Sequence, residues 1–388
     1  MDGLYYLKWF SSCSSVYFSV LHSLFLSLSL FILPSSVVSC LLMQSIAKLP
    51  AQVMSLSGSR VEETLFASLP ESGMMSLWDT RTSGAVFTAT AQAFSTDCGS
   101  EILLVDHHQR VVTLCGNRAQ FIDIRQSNKI LSEYIHSSEL VCFNSAPVLE
   151  SDGHILAVDE DGRILSLSLS TGEPTGEVDG SVFGQPVSVG TTGFGQLDNY
   201  CCGLGPVSSP QGVRLLLALG MSGTGVVYSS PFEATTLQLE EDNTNSSNMV
   251  VNPPLPTCCA FEEGKVAVGK ANGMYDILFC EEDGTMETVM SAPGDAANGI
   301  VYVDWSPVGL LTVSLCGEIT AWDVEEFLDE DPLTQDEGRL PRVSGALSHR
   351  GTTGSGRAVV NCASRLGPSA VYVLADTEGN IATFNLFA

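Results

Sequence analysis

The chain has 388 residues, of which 44% are hydrophobic and 36 are Gly, enough apolar surface for a large core and enough Gly for frequent turns. Seventeen Lys and Arg stand against 44 Asp and Glu, a formal charge of -27, and residues 1–57 contribute only two Lys and one Asp. A field of that sign repels a phosphate backbone, which disfavours direct nucleic-acid binding and favours basic protein partners.

Between Lys8 and Lys48 there is no Asp, Glu, Lys or Arg, and residues 16–33 are dominated by Leu, Phe, Val and Ser. That stretch has the length of a membrane-spanning signal anchor, and Pro34 would end such a helix. The Ser and Cys residues that follow loosely match a signal-peptide cleavage region, although Lys8 is the whole of the preceding basic segment. Met43 offers a competing start just ahead of the first strand signal. Residues 1–42 therefore read as a hydrophobic leader or a wrongly assigned start, and residues 43–388 as the folded domain. A start at Met43 implies a cytoplasmic or nuclear protein; a genuine leader implies a membrane-associated one.

From there the chain repeats one unit seven times: an apolar run, a turn residue, and a second apolar run. The turn residues are Gly73, Asn117, Gly162, Gly223, Gly273, Gly317 and Gly379, spaced by 44, 45, 61, 50, 44 and 62 residues. Five positions later stand Trp78, Ile122, Leu167, Tyr228, Leu278, Trp322 and Phe384, all apolar or aromatic. The next position is polar in six of seven copies: Asp79, Asp123, Ser168, Ser229, Asp323 and Asn385, with Phe279 the exception. A tight turn that Gly or Asn enters at positive φ, followed by a strand with one large anchor, is a repeated β-hairpin. Four of the six spacings lie near the roughly 40–45 residues of a four-stranded propeller blade, and the two long ones imply insertions.

Innermost strands are expected at 53–57, 87–91, 140–144, 186–189, 257–261, 300–305 and 358–363. Second strands are expected at 65–67, 111–114, 155–158, 215–219, 265–268, 310–313 and 371–374, all short and mostly apolar, and five of the seven with β-branched residues. The last blade lacks an outer strand, which residues 44–49 can supply by closing the ring and removing an open edge. Loops are expected at 190–212 inside blade four and at 233–248 between blades four and five. The acidic run 325–337 reads as a solvated loop or as a docking strip for a basic partner.

Ser76-Leu77-Trp78-Asp79 and Thr320-Ala321-Trp322-Asp323 resemble the closing strand of a WD repeat, and the pattern spans about residues 43–388. The fold class expected is all-β: a seven-bladed WD-repeat β-propeller closed by an N-terminal strand and preceded by a hydrophobic segment. Within that family a narrower resemblance is carried by Val251-Asn252-Pro253-Pro254-Leu255-Pro256.

Eight positions after the turn residue, two adjacent blades hold Arg81 and Arg125, giving Trp78-Asp79-Thr80-Arg81 and Ile122-Asp123-Ile124-Arg125. Residues two apart on a strand share a face, so each Arg can pair with its own Asp or present a planar fork to another protein. The pair resembles the Asp-x-Arg boxes of WD-repeat substrate receptors, which dock on the propeller adaptor of cullin-4 RING ubiquitin ligases. His136 and His349 precede innermost strands where WD repeats often hold a histidine, with Asp161 and Glu378 as expected acceptors. Those histidines, with Trp322 and Asp323, are structural candidates.

The cysteines, among them Cys142, Cys258, Cys259 and Cys362, fall in apolar strands and read as reduced, buried thiols. The vicinal pairs Cys201-Cys202 and Cys258-Cys259 show no zinc-type spacing. Asp106-His107-His108 reads as a surface loop, and Asn245-Ser246-Ser247 is a sequon too common to set the compartment. Gly203-x-Gly205 lacks the flanking strand and helix of a phosphate loop, and no nucleophile elbow or metalloprotease motif is present. No catalytic residue, metal or cofactor is assigned. The function expected is a non-enzymatic protein-interaction scaffold, in its specific form a cullin-4 substrate receptor; the alternatives are a membrane-tethered scaffold or a ligand-binding or enzymatic propeller.

Overall fold

A computed structural model describes residues 44–90, 100–105, 109–125, 130–143, 153–178, 180–197, 200–239, 254–294, 298–307, 309–322, 324, 347–348 and 359–386. The hydrophobic leader, the vicinity of the sequon and the acidic run 325–337 lie outside them.

Seven antiparallel sheets stand as blades. Blade one is Val53–Gly58, Leu65–Pro70, Met74–Asp79 and Ala85–Thr90, in that spatial order. Blades two, four, five and six follow the same meander, beginning at Ser100–Val105, Cys201–Ser208, Pro256–Glu262 and Ile300–Ser306. Blade three has three strands among the described residues: Leu140–Phe143, His154–Asp159 and Ile164–Ser168. Blade seven is Val360–Leu366, Val371–Asp376 and Asn380–Asn385, completed by Gln44–Lys48 from the start of the domain. Gln44 faces Thr383 and Lys48 faces Asn380, so the expected closure by residues 44–49 is present. The seven first strands touch one another in a closed cycle, which makes them the innermost strands of a ring.

The turn register holds throughout. Six of the seven turn residues have φ between 75° and 83°; in blade two the positive angle falls on Gly116, one residue before Asn117. Every anchor five positions on is at least nine-tenths buried. Two anchors carry an indole N–H that must find an acceptor once buried. Trp78 Nε1 donates to Ser68 Oγ at 2.8 Å and Trp322 Nε1 to Thr312 Oγ1 at 3.0 Å. At that second-strand position the other blades hold Val112, Ala157, Ala218, Val268 and Leu374. A hydroxyl occurs where the anchor is Trp, and an aliphatic side chain where it is not.

All seven expected second strands are observed, and five of the innermost strands match in place. Two do not. Residues 87–91 fall in the outer strand of blade one, whose Leu77 faces Phe87, and the innermost strand of blade two is Ser100–Val105. Residues 186–189 hold only the short strand Val187–Ser188, paired with Glu177–Val178. That ribbon and a four-residue helix, Gly180–Phe183, belong to the insertion between blades three and four. Part of the insertion replaces the missing outer strand of blade three: Phe194 exchanges backbone bonds with Ile164, and Thr175 N donates to Ser166 O.

The innermost strand of blade four is Cys201–Ser208, inside the segment expected to be a loop. Its Gly residues serve packing: a Cβ on Gly205 would lie 2.5 Å from the Phe261 ring of blade five. Likewise Glu233–Gln238, expected in a connecting loop, is the outer strand of blade four.

Side chains bond across the seams between blades. Ile102 N donates to Ser55 Oγ at 3.2 Å and Leu104 N to Ser57 Oγ at 2.9 Å, joining blades one and two. Thr257 Oγ1 donates to Ile300 O, and Asn361 Nδ2 reaches Val53 O at 2.7 Å across the closing seam. Between blades six and seven Tyr372 OH donates to Asp304 Oδ2 at 2.9 Å, with Arg365 Nη1 3.7 Å from the same oxygen. Burial pushes the Asp304 carboxyl up to about 6, against the opposing pull of Arg365 and the tyrosine bond.

Two outcomes follow for stability. Deleting residues 43–50 strips the partner from Asn380–Asn385 and uncovers Val373 and Ile381; at about 1 kcal/mol net per backbone hydrogen bond the loss is on the order of 3–5 kcal/mol. A truncated ring melting at the full-length midpoint contradicts this closure. Because the folded Asp304 holds its proton more tightly than the unfolded chain does, its contribution is most favourable below about pH 4. It turns unfavourable as pH rises through about 6. Asp304→Asn removes that dependence, so chemical denaturation should show the variant gaining about 2–3 kcal/mol on the wild type between pH 4 and 7.

Candidate protein-interaction surface

In an antiparallel meander the turns after the first and third strands share one end of the blade, and the turn after the second strand lies at the other. Arg81 and Arg125 each follow a third strand, so both lie at the end opposite the seven Gly or Asn turns. Thr80 N donates to Thr64 O at 2.8 Å and Ile124 N to Gln109 O at 3.1 Å, fixing the residue between Asp and Arg against the second strand of its blade.

The two sites are built alike. Asp79 Oδ1 accepts the backbone N–H of Arg81 at 3.0 Å, and Asp123 Oδ1 that of Arg125 at 2.8 Å, a side-chain turn that ends each strand. Arg81 Nε donates to both Asp79 oxygens at 2.9 and 3.1 Å, and its Nη2 to Oδ2 at 2.6 Å. Arg125 donates from Nε and Nη2 to the two oxygens of Asp123 at 3.0 and 2.8 Å. These guanidinium bonds hold both carboxyls at about 2, so the pairs are formed above the usual carboxylate range and lost only as pH falls through about 2. Asp79 and Asp123 are 14% and 2% exposed, whereas Arg81 and Arg125 are 69% and 62% exposed. Each fork is thus oriented by a covered carboxylate while its cation stands in solvent.

Blades one and two share one core cluster containing Leu77, Ile102, Ile122 and Ile124, so both forks are mounted on the same packed body. Val61, 57% exposed, lies in the first-to-second-strand turn of blade one, at the same end as Arg81.

The histidine expectation needs correction. His136 Nε2 lies 3.0 Å from Asp159 Oδ2, not from Asp161, and Nδ1 lies 2.8 Å from Tyr134 OH. Asp159 ends the second strand, is 1% exposed, and accepts Arg163 N at 2.8 Å through its other oxygen; Asp161 sits two residues on, at the exposed tip of the turn. In blade seven the buried carboxylate at this register is Asp376, which accepts the N–H groups of Glu378 and Asn380; His349 lies outside the described residues. Asp323 and the cluster at 106–108 also lie outside them.

In blade five the same register holds Lys270, whose Nζ is 2.8 Å from Asp276 Oδ2, with both side chains at most 2% exposed. Ser291 Oγ donates to the other Asp276 oxygen at 2.8 Å. A Lys closing an apolar run and an Asp inside Met274–Cys280 were visible in the sequence, but only the fold pairs them.

No family model matches the chain, and no curated protein matches its sequence. Among solved structures the C-terminal WD40 domain of Sif2 is similar, with a TM-score of 0.60 at 11% identity, covering 89% of this chain and 98% of that one. At that identity the likeness is one of fold: the chain forms a seven-bladed β-propeller of the WD40 type. With no curated match, the narrower resemblance carried by residues 251–256, to WD repeat-containing protein 53, gains no support.

Replacing Asp159 by Ala should cost about 1–3 kcal/mol, since it leaves the imidazole and the Arg163 N–H without their acceptor. Asp161→Ala should stay within about 0.5 kcal/mol of wild type. Denaturant midpoints of the two variants check this, and equal effects would restore Asp161 as the partner.

Proposed function

We propose that this ring is a non-enzymatic protein-interaction scaffold, in its specific form a substrate receptor that docks through Arg81 and Arg125 on the propeller adaptor of a cullin-4 RING ubiquitin ligase. The observation that carries this reading is the duplication: two forks at one register, in neighbouring blades, each braced by its own Asp and exposed. A braced guanidinium has surrendered much of its rotamer freedom before docking, so less ordering is required on binding. The family resemblance of the two Asp-x-Arg boxes supplies the identity of the adaptor. The net charge of -27 suits recruitment of a basic target on the remaining surface. We propose a cytoplasmic or nuclear location with this reading.

One observation favours a second role for the same residues. Each Asp caps its own turn, so the pairs also serve as local structure. Pull-down of the purified adaptor by the wild-type ring and by the Arg81→Glu, Arg125→Glu double variant separates the two. The receptor reading expects at least about a tenfold loss of binding with the melting midpoint little changed. Binding undiminished in the variant, or absent from the wild type, would leave the turn-capping role alone.

A further inference from the structure

The innermost strands of blades three, four and five carry five thiols across two consecutive seams: Cys142, then Cys201 and Cys202, then Cys258 and Cys259. All five are free. In sequence they look like ordinary core, but the ring sets four of them against a thiol of a neighbouring blade, while Cys258 faces Ile300 of blade six. Cys142 and Cys201 pack in one core cluster, and Cys202 and Cys259 pack together against the next. The backbone places the second pair together independently. A Cβ on Gly203, the residue directly after Cys202, would lie 2.5 Å from Cys259 Sγ, so that thiol rests against the blade-four strand. The pairs differ in access: Cys142 and Cys201 are 8% and 7% exposed, whereas Cys202 and Cys259 are half-buried.

We propose that Cys202 and Cys259 form an oxidation site, at which a small peroxide closes a disulfide across the seam between blades four and five while the Cys142 and Cys201 pair is protected by burial. One thiol, as its thiolate, attacks a peroxide oxygen and breaks the O–O bond, releasing water and becoming a sulfenic acid. The second sulfur then attacks the first, the S–O bond breaks, and a second water leaves. The two thiols lose two electrons and two protons, and the peroxide is reduced to two waters. Because the neighbouring Cys202 thiol and burial push the Cys259 thiol up, the reaction is slow at neutral pH and accelerates as pH rises.

The test treats the full chain with hydrogen peroxide while circular dichroism reports an intact fold, then maps unreduced peptides by mass spectrometry. A peptide joining Cys202 to Cys259, lighter by about 2 Da than the sum of the free thiols, is the expected product. It should be reversed by dithiothreitol, form faster at pH 9 than at pH 7, raise the melting midpoint, and persist in Cys142→Ser. Bridging within Cys201-Cys202 or Cys258-Cys259, oxidation that stops at sulfinic acid, or both thiols unchanged in the wild type would overturn the site. A Cys142 to Cys201 bond formed at the same rate would overturn the protection by burial.

Discussion

The seam between neighbouring innermost strands is the constraint on which the rest of this molecule depends. A blade buries apolar side chains on both faces, so it gains stability only when flanked on both sides. The chain itself joins six of the seven neighbours, and the seventh contact is made between blades one and seven. There Asn361 reaches Val53 O, Gly58 N donates to Ser364 Oγ, and Gln44–Lys48 covers the last strand. The spacing at that seam excludes bulk: a Cβ on Gly58 would stand 1.8 Å from Arg365 O. Ser, Thr, Gly and Cys recur at these seams, where a small residue lets neighbouring strands approach closely and a hydroxyl bonds across. A set of residues that looks chemically bland in sequence is the one this geometry selects.

That explains which parts of the fold were legible. The hairpin register could be read because each turn needs a residue tolerant of positive φ and each anchor must fill an interface, and both demands fall at fixed positions. Second strands, buried on both faces, are continuous apolar runs and were all found. The innermost strand of blade four was missed because Cys-Cys-Gly-Leu-Gly-Pro-Val-Ser has the composition of a loop. Its glycines answer to Cys259 and Phe261 of the next blade, a tertiary cause that no local pattern records. Residues 87–91 misled in the opposite sense. They form a genuine strand, but it faces Leu77 in blade one and does not open blade two.

The polar network inside the blades shows the same division. Where an indole is the anchor, a hydroxyl waits five residues before the turn, and the fixed hairpin register brings the two together. The histidine partner could not, because Asp159 and Asp161 differ in sequence by two positions but in the structure by burial. Only the strand end projects its carboxylate toward His136; the turn tip projects outward. Lys270 and Asp276 extend the point: a charge at the register of Asp159 is tolerated where an opposite charge meets it and fully covers it.

The candidate surface stands apart from this interior, and its geometry gives it meaning. A lone Asp-x-Arg pair at a strand end is adequately explained as a turn cap. Two of them, set by the same backbone bonds to the second strand and mounted on one shared core, hold a fixed separation that neither turn requires. Fixed separation of two oriented cations is of use to a partner that meets both, and blades three to seven remain uncovered by such a contact. Rigidity from the seams and exposure at one end of the ring are therefore complementary properties: the first holds the two forks in one fixed arrangement, and the second leaves both cations in solvent, as the proposed docking requires.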